Sequence, residues 1–147
     1  MNTIPPVPGT YLLHLKATEN ISLQIGRMGL FDLAVGWYIY VGSARGPGGL
    51  RARINRHMRA DKPLHWHIDA LTALIPVQGV WIDMSSERLE CVWARRLAEM
   101  PEVREPIPSF GSSDCQCWTH LFAVPEEALQ AAWEKLEYPR RLTVSSF

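Results

Sequence analysis

The chain has 147 residues, enough for one domain with its own core, and 47% hydrophobic against 20% charged residues is ordinary for a globular protein. Fifteen basic residues balance fifteen acidic ones, which argues against coating long nucleic acid with the whole surface but leaves room for a local basic groove. No apolar run nears the ~20 residues that span a bilayer, and the start, MNTIPPVPGTY, lacks the flank and apolar stretch of a signal peptide.

The three cysteines, Cys91, Cys115 and Cys117, are an odd number with two nearly adjacent, which argues against a disulfide framework. A cytoplasmic protein with no membrane contact is therefore expected.

Along the chain, Pro5, Pro6 and Pro8 make an extended lead-in. Residues 10–17 (TYLLHLKA) and 21–25 (ISLQI) are short apolar segments around Glu19-Asn20, which predicts a hairpin. Residues 36–41 (GWYIYV) form a β-prone aromatic run that must end in the loop of Gly42, Gly46, Pro47, Gly48 and Gly49. From Leu50 the spacing turns helical, with Leu50, Ile54 and His57 or Met58 on one face, until Pro63.

Leu64, Ile68, Leu71 and Ile75 align in a second helix over 64–74, and 77–82 (VQGVWI) return to strand. Ser86 reads as the N-cap of a third helix with Leu89, Val92, Trp93 and Leu97 along its buried stripe. Residues 101–118 read as loop and 119–124 as a last short strand. Pro125, Glu126 and Glu127 open a final helix, whose apolar face is Ala128, Leu129, Ala132, Trp133 and Leu136. The whole predicts an α/β (α+β) fold with a small, mainly antiparallel mixed sheet flanked by helices. Residues 1–124 would form the functional domain and 125–147 an appended helix and tail of the same globule.

Residues 34–60 carry five arginines (Arg45, Arg51, Arg53, Arg56, Arg59) and no carboxylate. An aromatic strand, a glycine-rich turn and an Arg/His helix follow one another, an order suited to gripping a phosphodiester. The run has a plainer reading as a solvated helix face, although it lacks acidic partners one turn away. Tyr11 and Tyr40 read equally as strand aromatics of a core.

Two tyrosine-glycine pairs, Gly9-Thr10-Tyr11 and Tyr40-Val41-Gly42, precede Arg53 and His57 on the helix and Glu90 on another. In these residues the chain resembles the GIY-YIG nuclease superfamily: GTY stands for the first signature, YVG for the second, and Arg53 and His57 for the helical Arg-x-x-x-His. The stretches YVGSA, LHWHID, LEC and FGSSDCQCWTHLF further resemble its small stand-alone Uri-type or DUF123 branch, over roughly Gly9 to Val124. Threonine replaces the central isoleucine of the first signature, both being β-branched. The 28 residues between Tyr11 and Tyr40 imply an extra strand or long excursion.

The resemblance implies a metal-dependent endonuclease acting on DNA, with Tyr11, Tyr40, Arg53, His57 and Glu90 as its catalytic set. Glu90, with Glu87 as the other candidate, would anchor Mg²⁺ or Mn²⁺, since Mg²⁺ commonly takes one or two protein carboxylates and completes its shell with water and phosphate. Arg53 offers a planar fork to phosphate oxygens. Tyr11 would orient or deprotonate the attacking water, and Tyr40 and His57 would position phosphate or shuttle a proton, His57 titrating near neutrality. Arg45, Arg51, Arg56, Arg59 and His65 would bind the nucleic acid, with a protein partner supplying selectivity. The alternative is a non-catalytic nucleic-acid-binding or accessory module on the same fold. A second cluster, His67, Cys115, Cys117 and His120, has the residue types of a Zn²⁺ site. Trp66 and Trp118 suit either the core or base stacking.

Overall fold

The computed structural model describes residues 4–59, 61–63, 66–108, 110 and 119–143. In chain order it contains β1 (Gly9–Ala17), β2 (Ile21–Ile25), β3 (Gly29–Leu33), β4 (Gly36–Ala44), α1 (Gly49–Met58) and α2 (His67–Thr72). These are followed by β5 (Val77–Asp83), α3 (Glu90–Ala98), β6 (Leu121–Val124), α4 (Leu129–Lys135) and β7 (Arg140–Thr143). Five strands form one sheet in the order β6-β4-β1-β5-β7, while β2 and β3 make a separate two-stranded ribbon. Every pairing is antiparallel, and the fold is α+β.

The expected hairpin between residues 10–17 and 21–25 does not form. β1 is buried along nearly its whole length, so it sits mid-sheet and takes β4 on one side and β5 on the other. Only β4 matches its nine residues, in register from Gly9↔Ala44 to Ala17↔Gly36. β2 instead alternates exposed and buried, turns onto β3, and lays Leu23 and Ile25 into the core. The long stretch between the two tyrosines is thus taken up by a ribbon outside the main sheet.

Strand side chains alternate between faces, and the sheet is covered on both. One face carries Tyr11, Leu13, Leu15, Tyr38, Tyr40, Val80 and Ile82, packed with Leu50 and Ile54 of α1, Ile68 and Leu71 of α2, and the β2–β3 ribbon. The other carries Leu12, Ile39, Val41, Trp81 and Phe122 under Trp93, Ala94 and Leu97 of α3 and Ala132 of α4. Residues 125–143 contribute α4 to this second layer and β7 to the sheet edge beside β5. No helix among the described residues is long and apolar enough to cross a membrane.

The proline-rich lead-in has a definite task. The first N–H groups of a helix have no partner within it. Here Val7 O accepts from Leu50 N at 2.8 Å and Pro5 O from Arg51 N at 3.2 Å. That approach is close enough that a side chain on Gly49, at φ 56°, would overlap the Val7 carbonyl.

The helix boundaries differ in detail from expectation. α2 spans fewer residues than predicted, and α3 begins at Glu90 rather than after Ser86. Asp83 Oδ1 accepts the Ser85 N–H at 2.8 Å, holding residues 85–87 in a bend, so Glu87 lies before the helix. After Pro125 a short 3-10 turn over Glu126–Ala128 leads into α4.

Candidate active site

The register of β1 and β4 decides where the two tyrosines go. Tyr11 lies opposite Gly42 and Tyr40 opposite Leu13, which puts both rings on the face that α1 covers. On α1 the buried positions are Leu50, Ile54 and His57, spaced to share one stripe, so His57 points down onto the tyrosines. The Tyr11 hydroxyl and His57 Nε2 are 2.7 Å apart. The Tyr40 ring meets His57 edge-on at 6.4 Å between centroids and Phe110 at 5.9 Å.

Gly42 is part of this arrangement, because a Cβ there would overlap the Tyr11 ring tip and hydroxyl. Gly42→Ala is therefore expected to lower stability by about 1–3 kcal/mol through overpacking. A denaturation midpoint equal to wild type would contradict that packing.

Burial governs the electrostatics. Tyr11, His57 and Tyr40 are 0%, 1% and 8% exposed. Burial pushes the Tyr11 pKa well above the ordinary phenol range. The nearby Arg53 guanidinium works against it, while the Glu90 and Asp69 carboxylates add to it. Tyr40 is raised too, first by burial and then by Tyr11 and Glu90.

His57 is pushed down to about 3, mainly by burial; Asp69 opposes this, and Arg53, Lys62 and Arg56 reinforce it. The expectation that His57 titrates near neutrality is thus corrected: under α1 it is a neutral imidazole. The Tyr11 hydroxyl and the neutral imidazole share one hydrogen bond, whose donor is set by which ring nitrogen of His57 carries the proton. His57 Nδ1 is buried and has no hydrogen-bond partner among the described residues.

A pH dependence follows. His57 is held near 3 and His14, on the opposite face beside Trp81 and Arg141, is lowered by burial to about 4. A histidine depressed in the fold stabilises fully above its unfolded pKa of about 6.5 and loses that contribution as pH falls towards its folded value. His120 is lowered by burial to about 4 as well, so unfolding should take up three histidine protons around pH 5, each adding about 1.4 kcal/mol per pH unit to the loss of stability. Denaturant unfolding at pH 7 and pH 5 checks this, and His57→Phe with His14→Phe should reduce the slope to about a third.

The arginines divide by their partners. Arg45 donates to Glu87 O at 2.7 Å and Arg51 to Ile4 O at 2.7 Å, so both tie segments of the chain together. Arg56 pairs with the fully buried Asp69 carboxylate at 2.8 Å and also donates to Pro63 O. The helix has no acidic partner of its own, as its sequence indicates; α2 supplies one. Arg53 is half-buried, its charge acts on the Tyr11 hydroxyl, and it lies 4.3 Å from the Trp66 ring centroid. Arg59 is exposed just past α1. His65 lies outside the described residues.

Glu90 opens α3, and its charge reaches both tyrosines. Glu90 Oε2 is 3.6 Å from Nδ1 of His120, an imidazole 1% exposed whose pKa burial lowers to about 4. Glu90, Cys91 and His120 bring their ligand atoms within 4.8 Å of one another. Of the predicted zinc set, Cys115 and Cys117 lie outside the described residues, His67 packs on Phe110 at 5.7 Å, and His120 lies beside Glu90 and Cys91. As a donor for Mg²⁺ this group offers one carboxylate, which is sufficient for that ion. A groove of about 500 Å³ lined by Trp37, Tyr38, Glu102, Arg104 and Glu126 contains none of the expected site residues.

A family model described as "Domain of unknown function DUF123" matches residues 10–138. The chain belongs to that family. The DUF123 region runs from β1 through α4 and so takes in both tyrosines, α1, Glu90 and His120. No curated protein and no solved structure matches the chain.

One residue of this site, Asp69, was not expected, and the contacts of Trp66, which suited either the core or base stacking, were not legible. Asp69 is buried between α1 and α2, and the signal available was an acid on the otherwise apolar side of the second helix. Trp66 is 37% exposed and lies against both Arg53 and Arg56, at 4.3 and 4.8 Å; nothing in the residue order fixes that contact.

Proposed function

We propose that this protein is a metal-dependent endonuclease hydrolysing phosphodiester bonds in DNA, built on the GIY-YIG plan. The observation that carries the reading is the Tyr11 hydroxyl hydrogen-bonded to His57, with Tyr40 against His57 and the Arg53 and Glu90 charges beside them. Phosphodiester hydrolysis needs an oriented nucleophile and neutralisation of charge at phosphorus. Arg53 is the half-buried member of this group, and its planar guanidinium suits non-bridging phosphate oxygens.

Tyr11 is held protonated by burial, which favours it as a hydrogen-bond donor that fixes geometry over a base acting from its resting state. Neutral His57, already at the hydroxyl, is the group able to accept the Tyr11 proton if the hydroxyl passes it on. Glu90 would hold the divalent cation, which when bound supplies Lewis-acid polarisation of the phosphate and activation of water. Trp66 beside Arg53 offers a surface on which a base can stack.

The second reading, a nucleic-acid-binding module without turnover, draws support from the sealing of Tyr11 and His57 and from the protein partners of Arg45, Arg51 and Arg56. Labelled single-stranded, duplex and branched DNA, incubated with Mg²⁺ or Mn²⁺ and with EDTA, separates the two. Cutting that requires the cation supports the nuclease; salt-sensitive binding weakened by Arg53→Ala, with no cutting of any substrate, supports the module.

A further inference from the structure

We propose that Glu90, Cys91 and His120 form a three-ligand site for a zinc-class divalent cation. Its three donors come from two segments fixed independently of any ion. Glu90 and Cys91 are the first two residues of α3, a helix anchored on the sheet by Trp93 and Leu97. His120 stands just before β6, with its N–H donated to Phe110 O at 2.8 Å and its carbonyl accepting from Val41 N at 3.0 Å. The imidazole is therefore positioned by backbone held on both sides.

The distances suit a cation. Tetrahedral zinc with bonds of 2.0–2.3 Å keeps its ligand atoms roughly 3.3–3.8 Å apart. His120 Nδ1 and Glu90 Oε2 are already 3.6 Å apart, and the whole set lies within 4.8 Å, a gap that small side-chain rotations close.

Donor chemistry then selects the ion. Mg²⁺ takes oxygen ligands, whereas a thiolate and an imidazole beside a carboxylate suit Zn²⁺. Three protein ligands with a fourth position left for water or a substrate oxygen is the pattern of catalytic rather than structural zinc. This deepens the nuclease reading by naming the class of cation at Glu90. It rests on that reading only for its catalytic consequence, since metal binding is measured without DNA. The site also competes for His120 with the set His67, Cys115, Cys117 and His120, so the two cannot both be filled.

The full chain, stripped with chelator and titrated with Co²⁺ alone, tests the proposal. Wild type is expected to bind one equivalent with a thiolate-to-cobalt charge-transfer band, displaced by Zn²⁺. Cys91→Ser should lose the band and bind more than about tenfold more weakly. Glu90→Gln should weaken binding yet keep the band, and Cys115→Ser with Cys117→Ser should leave both unchanged. Circular dichroism establishes that each variant is folded. No band in wild type, a band that survives Cys91→Ser, or a band lost with Cys115 and Cys117 would each overturn the assignment, whatever the protein does to DNA.

Discussion

Replacing Asp69 with alanine is expected to destabilise the protein by about 3–5 kcal/mol, the range for breaking a buried ion pair from one side. Asp69 is fully buried and accepts both the Trp66 N–H and the Arg56 guanidinium at 2.8 Å. Removing its carboxylate strands an arginine that is only 19% exposed and frees the first turn of α2. Removing both partners should cost less than the sum of the single changes, because neither charge is then left behind. Denaturant unfolding of Asp69→Ala, Arg56→Ala and the double variant checks this. Simple additivity would mean that the pair does not couple α1 to α2. Any loss of DNA binding in Arg56→Ala must accordingly be read beside its stability.

The second large effect, on the nuclease reading, is on turnover. Tyr11→Phe removes one oxygen, and with it the hydrogen bond to His57. Loss of a positioned proton-transfer group typically costs 10²–10⁴-fold in rate, and that is the fall expected in DNA cleavage. The fold should lose only about 1–3 kcal/mol, the penalty for leaving buried polar atoms of the former network unsatisfied. Rate and stability are thus expected to separate, and unchanged cleavage by Tyr11→Phe would remove the hydroxyl from the mechanism.

Much of the fold was legible because it depends on local pattern. The short apolar run of β1, the β-prone aromatic run of β4, the glycine-rich turn and the Leu50–Ile54–His57 stripe each name their element. The two tyrosine-glycine pairs also carry their own geometry, since Gly42 is small where the Tyr11 ring must lie. What stayed hidden depends on which strand meets which. β1 and β2 are neighbours in sequence and both apolar, yet only the burial of β1 on both faces explains why it pairs with β4 and β5. β3 was obscured by a glycine and an aspartate within five residues, and β7 by two arginines in an edge strand of four.

The site divides in the same way. Tyr11, Tyr40, Arg53, His57 and Glu90 were nameable through the resemblance to the GIY-YIG nucleases, but their protonation was not. His57 looks like a neutral-pH switch in sequence and is a buried neutral base in the fold, because desolvation is a property of what packs around it. Arg56 looked unpartnered for a related reason: its carboxylate lies thirteen positions away, on another helix.

The most direct test of the nuclease reading compares wild type with Glu90→Ala for cleavage and for binding of the same labelled DNA in the same divalent-cation buffer. The reading predicts cation-dependent cutting by wild type that Glu90→Ala abolishes while its DNA affinity is retained. Cutting that persists undiminished in Glu90→Ala, or DNA bound by wild type and never cut with any cation, would contradict it.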